Sequence, residues 1–263
     1  MAPNTRWTND QLVVALNIYH KLTFGQMHGR QKAVIEVSKR LGRTSGSLAM
    51  KLCNFASLDP ALKLRGIKGL SGASALDRAL WADFHEDLSE AVPASEAAFR
   101  KLFGVTQSHE IEVTSKNGVR ISKVPAGPTE KSANVKVRRG QEYFRQAVLN
   151  NFDGQCGVTG LALRQLLIAS HILPWGKHEK QRLNVRNGLC LSRLHDAAFD
   201  RGLISFDDNL ELKLSSELKA ALPQRTVAEN FAAYEGETLQ LPKDAVLPDG
   251  GFLSVHRKFV FRN

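Results

Sequence analysis

The chain is poor in cysteine. Its three thiols, Cys53, Cys156 and Cys190, cannot supply the four ligands of an all-thiolate zinc knuckle, so no structural zinc is expected. Unpaired thiols of this kind suit a reducing compartment. Long apolar runs are also missing: no stretch approaches the roughly 20 residues of a membrane span, which excludes a membrane partner from the reading. The opening MAPNTRWTNDQ lacks the charged-then-apolar order of a secretory signal, and a cytoplasmic protein is the resulting expectation. Acidic residues are in deficit, 26 Asp and Glu against 36 Lys and Arg, giving a formal charge of +10 and a pI near 9.7. That balance favours a polyanionic partner.

What is present divides along the chain. At 263 residues with 43% hydrophobic content there is enough apolar material for one large or two modest cores. Asn9-Asp10-Gln11 before LVVALNIYHKL predicts a capped amphipathic helix, and KAVIEVSKRLG predicts a second that stops at Gly42. A tight turn at Arg43-Thr44 then leads into a helix with Leu48, Leu52 and Phe55 at i, i+4 and i+7. This is the pattern of a helix-turn-helix, in which Arg43, Thr44, Ser45, Ser47 and Lys51 face nucleic acid and the leucines face the core. A plain helical bundle that positions the rest of the chain is the alternative. SALDRALWADFHEDLSEAV adds a helix with Leu76, Leu80, Phe84 and Leu88 on one face and acids on the other, a face unsuited to phosphates.

From about Ser108 to Ala133 the periodicity breaks down. Between Thr114 and Arg145 eight basic residues, Arg138 and Arg139 among them, stand against two acidic ones, which predicts a cationic linker able to neutralise backbone phosphates. A helix over Gln141 to Asn150 then opens the second half.

The densest signal is LLIASHILPWGKHEKQRLNVRNGLCLSRLHDAAFDRGLISF, residues 166–206. Two short apolar runs, LLIASHI and GLCL, flank a polar basic segment, and RLHDAAFD after Ser192 starts a short helix. His171 closes the first run, Asn187 follows 16 positions later and His195 another 8 on. The order His, Asn, His resembles the HNH endonuclease family, whose ββα-metal finger has this strand, loop, strand and helix.

The resemblance implies a metal-dependent nuclease. His171 corresponds to the general base, Asn187 to the residue that orients loop and base, and His195 to a metal ligand. Many members carry Asp, Glu or His just before the base, and here that residue is Ser170. Asp196 and Asp200 can contribute oxygen instead, with Asp200 taken as the candidate ligand; such a shell suits Mg²⁺ or Mn²⁺. His178 in GKHEKQR reads as part of a solvated loop. CGVTG looks like a knuckle held by packing in place of metal.

The implied fold class is α+β. Residues 1–107 form a helical, helix-turn-helix-like recognition domain, 108–134 a basic linker and 135–263 an HNH nuclease domain. The implied partner is double-stranded DNA, with a homodimer as the oligomer to consider and a restriction-type role as the setting. A DNA-binding regulator with an inactive HNH fold, and a repair or mobile-element nuclease, are the alternatives. GLISFDDNLELKLSSEL predicts a hairpin packed on the finger, and His256 near the C-terminal end has a packing or phosphate-contact role.

Overall fold

The computed structural model describes residues 6–104, 108–114, 118–124 and 132–263, the strands at 108–124 and the start of the following helix by their backbone. The chain divides into two compact units, residues 1–147 and 148–263. The first is mainly helical and the second mixes short antiparallel sheets with helices, an α+β arrangement.

In the first unit, α1 (Asn9–Tyr19) begins with a capping box in which the Thr8 hydroxyl accepts from Gln11 N–H and the Gln11 side chain accepts from Thr8 N–H. It packs on α6 (Leu88–Phe103), whose partner α5 (Ala75–Glu86) ends where Asp87 caps the next helix. The single helix expected over SALDRALWADFHEDLSEAV is therefore broken at Asp87, and Leu76, expected in the core, is 44% exposed. Between α1 and α6 lies a polar core: Asn17 Nδ2 donates to Ser95 Oγ at 2.9 Å and to Glu96 Oε1 at 2.8 Å, and Lys21 pairs with Glu96.

Helices α2 (Lys32–Arg40) and α3 (Ser45–Ala56) pack together across a turn that Gly42 makes at φ +66°, a conformation other residues resist. Thr44 caps α3, and Leu48, Leu52 and Phe55 are wholly buried, as their spacing predicts. Each such side chain contributes about 1.5–3 kcal/mol by leaving water. A short α4 (Pro60–Leu64) follows. The stretch expected as a linker holds two strands, β1 (Ser108–Thr114) and β2 (Gly118–Val124), paired antiparallel with Ile111 opposite Ile121. Helix α7 (Ser132–Asn151) begins nine residues earlier than the sequence suggested and runs through the boundary between the units.

The second unit is organised around β3 (Leu167–His171) and β4 (Gly188–Ser192), antiparallel with Ser170 opposite Leu189 and His171 opposite Gly188. Helix α8 (Arg193–Asp200) leaves β4 directly and packs on both strands. The expected hairpin follows as β5 (Ile204–Phe206) and β6 (Leu212–Leu214), then α9 (Ser216–Ala220), α10 (Arg225–Asn230) and α11 (Gly250–Phe259). Gly202, at φ +70°, lies so close to the chain at Val260 that a Cβ would meet its carbonyl at 2.0 Å. The 156–160 turn is tied to β4 by Gly157 N–H donating to the Cys190 carbonyl at 2.8 Å and Ser192 N–H to the Cys156 sulfur at 3.2 Å.

Candidate active site

Two elements bring the site together. β3 delivers Ser170 and His171 at its end, and α8 starts at once after β4 because Ser192 caps it, its hydroxyl accepting from His195 N–H. On α8 the residues at i and i+4, Asp196 and Asp200, share a face, while Ala198 and Phe199 are buried. Asp196 interacts electrostatically with His171, with the Ser170 hydroxyl and with Arg193, and it also acts on Asp200.

His171 is held by its far nitrogen. Nε2 donates to the Arg182 carbonyl at 2.9 Å, and since a carbonyl only accepts, the proton sits on Nε2 and the lone pair on Nδ1. Burial lowers its pKa below the usual histidine value, against the opposing pull of the Arg182 carbonyl and of Asp196. That shift favours the neutral ring, the form able to accept a proton.

The two carboxylates carry the opposite tendency. Burial first raises the pKa of Asp196, with Ser170, Arg193 and His171 lowering it. Asp200 is raised by partial burial and then by the charge of Asp196. Ser170 is 2% exposed and its hydroxyl lies beside Asp196, whose charged form it favours.

The long loop between β3 and β4 is closed by two side chains. Asn187 is wholly buried: its Oδ1 accepts from Leu173 N–H at 2.8 Å, and its Nδ2 donates to the Gln181 carbonyl at 3.0 Å. Arg182 Nε donates to the Trp175 carbonyl at 2.7 Å, its guanidinium lies 5.2 Å from the Trp175 ring, and Nη2 reaches Glu179 at 3.1 Å. Trp175 in turn meets His171 edge-on at 5.2 Å.

Residues 156–207 match the model of the HNH endonuclease family. This segment is an HNH endonuclease domain. No curated protein matches the chain. The matched segment suggests a nuclease-type function, and no helix of the described residues is long and apolar enough to cross a membrane.

Within the HNH domain the sequence-predicted residues do not all converge. His171, Asn187 and Asp200 lie on the two elements and the loop just described. His195, expected as a metal ligand, is 1% exposed: Nδ1 accepts from Ser192 Oγ at 2.8 Å, and Nε2 donates to the Asn230 carbonyl at 2.8 Å, with Phe231 against the ring at 5.0 Å. In this arrangement one ring nitrogen donates and the other accepts. Its neighbour Asp196 holds the position facing Ser170 and His171. Arg182 was not singled out by the sequence, because nothing local marks an arginine as a loop buckle, and neither was Arg193 at the start of α8. His256 is a packing residue, 2% exposed, stacked on Phe199 at 3.8 Å and bonded to Ser205 and the Phe199 carbonyl.

The residues expected to face DNA in the first unit are engaged internally in part. Lys51 is 8% exposed and bonds both oxygens of Asp77, at 2.9 and 2.8 Å, so its charge is already matched. The Arg43 guanidinium bonds the Arg6 carbonyl and Gln11 Oε1 and lies 4.8 Å from the Trp7 ring. Thr44 is exposed and caps α3 by accepting from Ser47 N–H at 3.1 Å. Arg139 is half-buried, and the side chain of Arg138 lies outside the described residues.

Among the described residues no group of three or more His, Cys, Asp or Glu could hold a metal ion. Two carboxylates at i, i+4, one of them beside the Ser170 hydroxyl, are nonetheless a fitting donor set for a hard cation, which binds through one or two carboxylates and completes its shell with water and substrate oxygens.

Proposed function

We propose that the chain is a metal-dependent endonuclease that hydrolyses phosphodiester bonds of double-stranded DNA. The observation that carries this is the pairing of His171, protonated on Nε2, with Asp196 on the facing helix, which in turn acts on Asp200. In this reading Asp196 and Asp200 hold a divalent cation, Mg²⁺ or Mn²⁺, which supplies charge stabilisation to the phosphodiester oxygens when bound. His171 takes a proton from the attacking water at Nδ1, and the Arg182 carbonyl keeps the ring in the tautomer that makes this feasible. Asn187 holds the loop that carries that carbonyl. Arg193, exposed at the first turn of α8, gives the phosphate a cation at the rim.

The charge of +10 supports a nucleic-acid substrate, and two compact units, one helical and one carrying the chemistry, support a restriction-type enzyme. The test uses covalently closed circular DNA. Conversion to open circles or linear molecules with Mg²⁺ or Mn²⁺, abolished by chelator, is the expected result. DNA binding without cleavage under any divalent ion would instead support a regulator with an inactive HNH fold.

A further inference from the structure

The outer face of α3 carries a groove. Ser47, Met50, Lys51 and Asn54 fall at i, i+3, i+4 and i+7, one stripe of the helix, and with Trp7 and Leu70 they line a concavity of about 360 Å³. Its floor is rigid, since the opposite stripe, Leu48, Leu52 and Phe55, is wholly buried. The size is that of a small-ligand site.

The lining specifies a chemistry. Met50 and Leu70 keep 58% and 45% of their surface in water, an apolar wall beside the Trp7 indole. The Asn54 amide and the Ser47 hydroxyl have no side-chain hydrogen-bond partner among the described residues. The one charged group in the lining, Lys51, is neutralised by Asp77, so the floor offers no free cation to a phosphate. Aromatic and thioether surface, an open amide and a hydroxyl, with no net charge, together match a neutral planar ligand that has donor and acceptor edges. Amides pair with base edges in this way, and bases removed from a duplex are held by stacking on flat side chains.

We infer that this groove is a nucleobase site, taking one base either displaced from its partner in a duplex or carried by a free nucleotide. The duplex source rests on the proposed DNA substrate; the chemistry of the groove does not.

The test uses the full chain in chelator, where cleavage plays no part. Three probes are titrated by fluorescence: 2-aminopurine riboside, a duplex with one unpaired 2-aminopurine, and the same duplex fully paired. The expected result is at least tenfold tighter binding of the unpaired-base duplex than of the paired one. Asn54→Ala and Met50→Ala, both checked by circular dichroism, each remove most of that preference and leave affinity for the paired duplex within about twofold. Binding of the free riboside that Asn54→Ala weakens supports the site with a free nucleotide as its source. A preference that survives both variants, or no preference together with no riboside binding, overturns the inference. Because no step involves cleavage, an inactive nuclease with a working groove is distinguishable from the reverse.

Discussion

The imidazole of His171 at the end of β3 and the carboxylate of Asp196 on α8 act on each other across the seam of the HNH domain, while His195, one residue before Asp196, points away to Ser192 and Asn230. Successive residues on a helix are about 100° apart, so the two side chains leave α8 in different directions. The first prediction follows. Asp196→Asn weakens Mn²⁺ binding by tenfold or more in calorimetry, and Asp200→Asn does so to a lesser degree. His195→Ala leaves metal affinity unchanged but costs about 2–4 kcal/mol of stability, through two lost hydrogen bonds and a cavity. Loss of metal affinity in His195→Ala with no change in stability would restore histidine to the shell.

Arg182 connects Trp175, Glu179 and, through its own carbonyl, His171. Arg182→Ala should loosen the loop and slow single-turnover cleavage about tenfold with DNA affinity nearly unchanged. Arg182→Lys should fail to rescue, because an ammonium cannot reproduce the planar fork that bonds and stacks at once. Faster hydrogen exchange at residues 181–184 in both variants checks the mechanism; unchanged cleavage would make Arg182 a surface residue only.

Lys51 and Asp77 form a buried pair. Lys51→Met leaves the carboxylate buried without its partner and should destabilise the first unit by about 3–5 kcal/mol, much of it recovered in Lys51→Met, Asp77→Asn. Urea unfolding measures both. A stable Lys51→Met with weakened DNA binding would mean that Lys51 turns outward to phosphate.

Burial lowers the pKa of His256 to about 4, with the Phe199 carbonyl opposing and Arg257 assisting. An unfolded chain takes up this proton near pH 6.5 and the folded one does not, so the contribution is full above pH 6.5 and is lost as pH falls towards 4, by about 3 kcal/mol in all. His195 acts in the same direction, whereas the raised Asp196 and Asp200 act in the opposite one. The difference between wild type and His256→Gln isolates the effect. Wild type should be the more stable at pH 7.5, and the gap in urea midpoint should narrow between pH 6.5 and 4; a constant gap would contradict it.

Local pattern made much of this legible. The apolar run before His171, the Ser192 cap and the spacing of Leu48, Leu52 and Phe55 are short-range signals, and each gives the element the structure contains. The direction His195 takes is set by the Asn230 carbonyl 35 residues away, and the fate of Lys51 by Asp77, 26 residues away; neither leaves a trace in local periodicity. The β1–β2 pair was obscured by its charge. Asn117-Gly118 between the alternating HEIEV and VRISKV is a hairpin signal, which the count of lysines and arginines overshadowed.

The central claim is that His171 is the base of a metal-dependent nuclease, and single-turnover nicking of closed circular DNA at saturating Mg²⁺ or Mn²⁺ tests it most directly. The account predicts that His171→Ala binds metal and DNA as wild type does and nicks about 10²–10⁴-fold more slowly. Nicking by His171→Ala at the wild-type rate would contradict it.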